Sequence, residues 1–391
     1  MDIILNKLII ILLILLIINY FIIDFSNKNE NKPLLLKINK RYIYDCKRSK
    51  LYKRIKVINE TPFFSICISA LNMKNYIKRV LLSILNQSFQ DFEIIIINDN
   101  SNDDTQKIIN KTRFKENRIK CIIHNKNMGV YYSRIEAILN AKGKYIILMD
   151  PDDMLLNENL LNILYNYNLK YNLDIVEFTV YRENEDSGEI FYPDKHFKNH
   201  YHNFSKKIIY QPELSNILFY LPNTKNNSHT ICRNIWNKMI NKRIFIEAIK
   251  YIGNYYLNQF VITADDILMN LIVYNFANNY SNIEVPGYLY NIRKISMSHG
   301  DGGNKLKIIR SINYLLYFQI FYKYIKEFKK SRNFLYFELK DFKKYLLDIK
   351  NYNLTNYIPT VINYLNEIIN DKYASIYFRN FTNQLLLYFQ T

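Results

Sequence analysis

The stretch FEIIIINDNSNDDT, Phe92 to Thr105, decides the fold. Its first half, FEIIIIN, is a continuous β-branched run, the pattern of a strand covered on both faces. Its second half, Asp99 to Asp104, is a polar loop of residue types that favour turns and helix caps. A helix is predicted next, near Thr105 to Lys111. Toward the N-terminus, FSICISA (Phe64 to Ala70) reads as another buried strand. Tyr76, Ile77, Val80, Leu81 and Ile84 then recur at helical spacing. Toward the C-terminus, Ile119 to His124 is a third strand. Tyr131, Ile135 and Ile138 mark a third helix, and Tyr145 to Met149 a fourth strand. This alternation predicts an α/β fold with a mostly parallel central sheet flanked by helices. Ligands of such sheets sit past the carboxyl ends of the strands. The polar clusters Ser69 to Asn72, Asn98 to Asp104 and Asp150 to Asp153 all fall there.

Composition narrows the class. The 391 residues are 49% hydrophobic and 15% aromatic, enough to bury a large core. With 8 Gly and 8 Pro, collagen-like and Pro/Gly-rich disordered chains are excluded. The 4 cysteines lie far apart with no CxxC pair, so neither a zinc knuckle nor a disulfide scaffold is supported. The net charge of +18 comes from scattered lysines in a chain rich in Ile, Asn, Lys and Tyr. No nucleic-acid motif accompanies it, and no nucleic-acid partner is expected.

Leu8 to Ile23 reads LIIILLILLIINYFII, and with Ile3 to Leu5 in front the apolar stretch is about long enough to span a bilayer as a helix. No small-residue cleavage pattern follows, so an uncleaved single-pass anchor is expected over 1–24. Lys7 precedes it, and Lys28, Lys32, Lys37 and Lys40 follow. That bias favours a cytosolic C-terminal bulk, yet long domains translocate against it, and orientation stays open. In a eukaryotic cell the membrane would be that of the ER or Golgi. Residues 25–60 read as a polar stem, 61–300 as the main domain and 301–391 as a helical, aromatic C-terminal region. Between Lys305 and Lys350 stand twelve Lys/Arg and four Asp/Glu. The plain reading is a solvated basic face; the functional one is a surface for anionic lipid headgroups.

Asp150, Asp152 and Asp153 directly follow the fourth strand. Carboxylates this close repel unless a cation or donors neutralise them, and a hard divalent ion with oxygen ligands would do so. Taken alone, the plainer reading is an acidic turn capping the helix that begins near Asn157. Asp99 at a strand tip could accept from a base N–H or a sugar hydroxyl, or belong to a turn. Asp265 and Asp266, ahead of ILMNLIVY, suit a helix N-terminus by charge alone. The coincidence of all three acidic sites, two at strand ends of one sheet, argues for a common centre.

Three segments, PFFSICISALN, YIKRVLLSILNQSFQDFEIIIINDNSNDDT and NMGVYYSRIEAILNAKGKYIILMDPDD, resemble the family 2 glycosyltransferase domain from Pro62 to Asp153. WNKMINKRIF, ADDILMNL and PGYLYNIRKISMS resemble its later blocks, extending the similarity to about His299. The resemblance implies a GT-A fold, a nucleotide-sugar donor, UDP-linked by expectation, and a metal-dependent inverting transferase of the hexosyl or N-acetylhexosaminyl type. The acceptor would be a hydroxyl on a glycan, protein or lipid. Carried over by position, Asp99 would contact the nucleobase, Ser69 and Asn72 would lie in the first nucleotide-side loop, and Arg134 would approach the nucleotide. Asp150, Asp152 and Asp153 match the DxD region that holds Mn2+ or Mg2+ and the diphosphate. Asp266 matches the catalytic base, with Asp265 in the preceding acidic position. Leu71, Asn98 and Ser69 depart from the usual residues, but no expected metal ligand or base is lost. Trp236 is expected in the core, and His299 falls near a segment that covers the donor in the family. The competing readings are a sugar-nucleotide-binding domain without turnover and a basic interaction protein. Loss of Asp152 or Asp266 would have favoured the former, and both are present.

Overall fold

The structure is a computed structural model that describes residues 61–191, 207–211, 234–257 and 265–293, with the single positions Leu214 and Asn366. The chain divides into two compact units, 1–40 with 340–391 and 41–339, and every element named below belongs to the second. The anchor expected over 1–24, the stem over 25–60, His299 and, apart from Asn366, the C-terminal region over 301–391 lie outside the described residues. Among the described residues no helix is long and apolar enough to cross a membrane.

The first half alternates as its hydrophobic pattern requires: β1 (Phe64–Ala70), α1 (Ile77–Leu85), β2 (Phe92–Asn98), α2 (Thr105–Arg113), β3 (Ile119–Ile123), α3 (Val130–Asn140) and β4 (Tyr145–Met149). All seven residues of β2 are buried, the Ile94–Ile97 run as a strand covered on both faces requires, with Glu93 and Asn98 as buried polar groups. Helix α1 buries Ile77, Val80, Leu81 and Ile84, one stripe at helical spacing. Strand β1 pairs in parallel with β2 on one side and β4 on the other, and β3 lies parallel outside β2. The chain thus steps outward from β1 and returns to its opposite side. Open α/β sheets bind ligands in the crevice at such a reversal. The loops after β1 and β4 flank it.

The second half adds β5 (Met154–Leu155), α4 (Leu160–Tyr171), β6 (Ile175–Asn184), β7 (Ile190–Phe191), β8 (Ile208–Tyr210), β9 (Lys238–Asn241), α5 (Lys242–Leu257), α6 (Asp265–Phe276) and β10 (Asn279–Ile292). The sheet order is β3-β2-β1-β4-β9-β6-β10-β5, with β7 on β6 and β8 on β10. β6 and β10 are parallel. β9 runs antiparallel to both β4 and β6, as do β5 and β8 to β10 and β7 to β6. The sheet is therefore mixed, which corrects the expectation of a mostly parallel one. The reversed strands are two to four residues long, too short to show a period of two.

The core spreads over both halves. Phe64, Phe92, Tyr145, Phe178 and Tyr288 are fully buried. Trp236 stacks on Tyr288 and Tyr290, with ring centroids 4.4 and 5.4 Å apart, and is a core residue as expected. At the amino-terminal ends of the strands, Glu93 accepts from the Ser65 hydroxyl (2.7 Å) and the Lys142 N–H (2.5 Å) and pairs with Lys120. That network fastens β1, β2, β3 and the entry to β4 at the end of the sheet away from the crevice.

Candidate active site

Arg134 gathers the site. It lies on α3, buried to 5% exposure. Nη2 pairs with Asp150, just past β4, at 2.5 Å. Nη1 donates to both Asp265 and Asp266 in the first turn of α6. Residues more than 130 positions apart in sequence thus meet on one guanidinium. Burial alone would discourage its charge, but Asp265, Asp266 and Asp150 hold the guanidinium well above its ordinary range. The fork geometry of Arg suits this role, because its separate N–H groups bind several carboxylates at fixed angles.

The two α6 acids are not equivalent. The Asp266 side chain is 24% exposed and that of Asp265 is 8%. Burial pushes the Asp266 carboxyl up to about 7; Arg134 opposes the rise, while Asp265 and Asp150 add to it. Asp265 is also raised, chiefly by burial, with Arg134 opposing. A carboxyl poised near neutrality can take up a proton and lose it again under working conditions.

The Asp150–Asp153 turn crosses the crevice beside this group. The Asp150 N–H donates to the Tyr288 hydroxyl at 3.1 Å. Asp152 pairs with Arg293 at 2.6 Å, and its carbonyl accepts from Arg79 at 3.4 Å. Burial and then the Asp150 charge push Asp152 up to about 6, with Arg293 opposing. Asp153 is turned into the protein at 1% exposure, where it accepts from the Asn291 N–H of β10 at 2.8 Å. Among the described residues, no set of three or more His, Cys, Asp or Glu side chains is gathered to hold a metal ion. Asp153 thus does not join Asp150 and Asp152 in the expected trio, because the pairing of β5 with β10 draws it inward. Asp150 and Asp152 remain partly accessible at 25% and 13%. As two hard oxygen donors whose charges oppose each other, they fit a divalent cation.

The expected nucleotide-side residues lie on neighbouring loops. Ser69 is half-buried near the end of β1, beside Ile97 of β2. Asn72 adopts φ 56°, a left-handed conformation that Asn tolerates. Its N–H donates to the Ser101 hydroxyl and its side-chain oxygen accepts from the Asn102 N–H, both at 2.9 Å. Asp99 is 2% exposed. It accepts from the N–H groups of Met128 (2.7 Å) and Gly129 (2.9 Å), and Nδ1 of His124 lies 2.7 Å away. Both of its oxygens are engaged by protein donors, two on Oδ1 and one on Oδ2. Gly129 has φ 89°, which opens α3 at a conformation L-residues avoid. His124, Tyr288 and Arg293 were not singled out from the sequence. His124 stands next to a strand end, but its second partner, Glu136, is on a helix whose rotation the sequence did not fix.

Residues 65–245 fit the sequence profile described as Glycosyl transferase family 2. Among curated proteins, the chain is 25% identical over 237 residues to glycosyltransferase GlyA of Streptococcus pneumoniae, covering 60% of this chain and 31% of that one. It is 36% identical over 130 residues to chondroitin synthase of Pasteurella multocida, covering 33% and 13%. It is 41% identical over 101 residues to the UDP-Glc:alpha-D-GlcNAc-diphosphoundecaprenol beta-1,3-glucosyltransferase WfaP of Escherichia coli, covering 26% and 39%. The chain therefore spans well under half the length of each of these relatives. Among solved structures, S. aureus TarS 1-349 in complex with UDP-GlcNAc superposes with a TM-score of 0.53 at 18% identity, covering 77% of this chain and 80% of that one. Residues 65–245, a little under half of the chain, are thus similar to glycosyl transferase family 2, and they stand on a GT-A-like α/β fold.

Proposed function

We propose that the protein is an inverting glycosyltransferase that moves a hexosyl or N-acetylhexosaminyl group from a UDP-linked donor to a hydroxyl on a glycan, protein or lipid acceptor. The observation that carries this reading is the convergence of Asp150, Asp265 and Asp266 on Arg134 at the sheet's crevice. The choice of a UDP-linked donor follows the relatives, among them WfaP, which is named for UDP-Glc.

Asp266 is the base: the more exposed acid of its pair, near neutrality in its proton affinity, it removes the acceptor hydroxyl proton as attack proceeds. Asp265 and Arg134 fix its position. A single displacement inverts the anomeric carbon and calls for no enzyme nucleophile. Asp150 and Asp152 would hold Mn2+ or Mg2+, which when bound supplies positive charge to the leaving nucleoside diphosphate. Asn72 and Asp99 shape the nucleotide side through the loops they brace. The acceptor would be met at a membrane to which residues 1–24 anchor the chain.

The test is a panel of nucleotide sugars scored for nucleoside diphosphate release with Mn2+ and with EDTA, followed by NMR of the product's anomeric configuration. The expected result is Mn2+-dependent release from a UDP-sugar and an inverted product. Tight UDP binding without release from any donor would instead identify a binding domain without turnover.

A further inference from the structure

We infer that His124 is a positioning residue for Arg134: as an imidazolium bridging Asp99 and Glu136, it holds α3 against the carboxyl ends of β2 and β3. The effect on transfer rests on the glycosyltransferase reading; the clamp itself does not.

The geometry requires the cation. His124 directly follows β3, with Nδ1 at 2.7 Å from Asp99 and Nε2 at 2.5 Å from Glu136. Both partners are carboxylates, which accept only, so both ring nitrogens must carry hydrogen. The groups facing the ring are Asp99 from the end of β2, and Glu136 and the Tyr132 ring, at 5.7 Å, from α3. Burial works against the charge, but the two carboxylates outweigh it and push His124 up to about 9.

The clamp acts on α3 at two points. Through Asp99 it fixes the Met128 and Gly129 N–H groups where the helix begins. Through Glu136 it fixes the second turn. Arg134 precedes Glu136 by two residues, about 200° around a helix of 3.6 residues per turn. The clamp and the Arg134 cluster therefore grip nearly opposite sides of one turn. Without the clamp, α3 is free to shift, and Arg134 shifts with it relative to acids held on two other elements.

Wild type, Glu136→Gln and His124→Gln decide the matter. Glu136→Gln is nearly isosteric and leaves the ring a single anionic partner. Imidazole NMR should show His124 titrating near pH 9 in wild type and at least one unit lower in Glu136→Gln. The stability that His124 contributes is complete below about pH 6.5 and disappears as the pH rises through about 9. The matching fall in Tm should move to lower pH in Glu136→Gln and vanish in His124→Gln. With an active donor, kcat should follow the same limb. In His124→Gln it should drop roughly ten- to a hundredfold, a larger change than that in donor KM, as expected for misplacement rather than lost contact. Carboxyl NMR supplies an arm independent of activity: a displaced Arg134 lets the Asp266 carboxyl rise above about 7 in His124→Gln. An ordinary His124 titration near 6.5, an unmoved limb in Glu136→Gln, or an unchanged Asp266 in His124→Gln overturns the proposal. If no nucleotide sugar is transferred by wild type, the activity reading fails and the NMR and Tm arms still judge the clamp.

Discussion

Asp266 and Asp152 are both raised by burial, yet in the proposed reaction their consequences would differ, because one would meet the acceptor and the other the leaving group. Asp266 must be ionised to act, so kcat/KM should fall as the pH drops through about 7. Asp266→Asn keeps shape and hydrogen-bonding capacity but cannot take the proton. Transfer should decline by roughly two to four powers of ten, with UDP affinity within a few-fold of wild type by calorimetry. Asp265→Asn should do less harm, because Asp265 is the more buried acid and acts through Arg134. The reverse ranking would move the base one residue back. For Asp152, the proposed role of the carboxylate is that of an oxygen donor to the metal. Asp152→Ala should abolish the Mn2+-dependent part of UDP binding, and in wild type that part should weaken as the pH falls through about 6. Binding that is the same with and without EDTA in both proteins would remove the metal from the site.

At the scale of elements, the strands that carry the site are joined to a network at their far ends. Gly143 precedes β4, and its N–H donates to the Ser65 hydroxyl at 2.7 Å. A Cβ there would stand 2.5 Å from both the Ser65 nitrogen and its hydroxyl oxygen, where β1 cannot yield. Gly143→Ala should cost about 1–3 kcal/mol by overpacking, seen as a lower denaturation midpoint. UDP affinity of the folded fraction should be unchanged, since the clash lies at the opposite strand ends from the crevice. The elements legible in sequence were those with long, unmixed patterns. FEIIIIN became β2 at Phe92–Asn98, and the apolar positions of α1 became its buried face. What could not be read was the reversal of β9. Its four residues take their direction from pairing with β4 and β6, not from any period of their own. The site divides the same way. Asp150, Asp265 and Asp266 were visible as acidic clusters at element ends, but their meeting on Arg134 was not, since the resemblance placed Arg134 toward the nucleotide. The inward turn of Asp153 and the His124–Glu136 pair depend on strand pairing and helix rotation, which local sequence does not specify.

At the scale of the whole molecule, the question is whether the catalytic unit needs the apolar N-terminal segment. Among the described residues, every member of the main hydrophobic core, and every partly buried apolar residue packed on it, lies between Phe63 and Tyr290. The acids of the site and Arg134 also fall within that span. Removing residues 1–30 therefore deletes none of the described core contacts and no described site residue, while it removes the apolar Ile3–Ile23 stretch expected to anchor the chain. The truncated chain should stay in the supernatant after membranes are pelleted, bind UDP with wild-type affinity by calorimetry, and unfold at the same Tm as the detergent-extracted full chain. A truncated chain that still pellets with membranes would show a second membrane-binding element. The stretch Lys305–Lys350, with its net charge of +8, is then the first place to look. Vesicles would separate the two kinds of attachment: binding that needs anionic lipid and is released by salt is electrostatic, whereas binding that survives high salt and neutral lipid requires an inserted apolar segment.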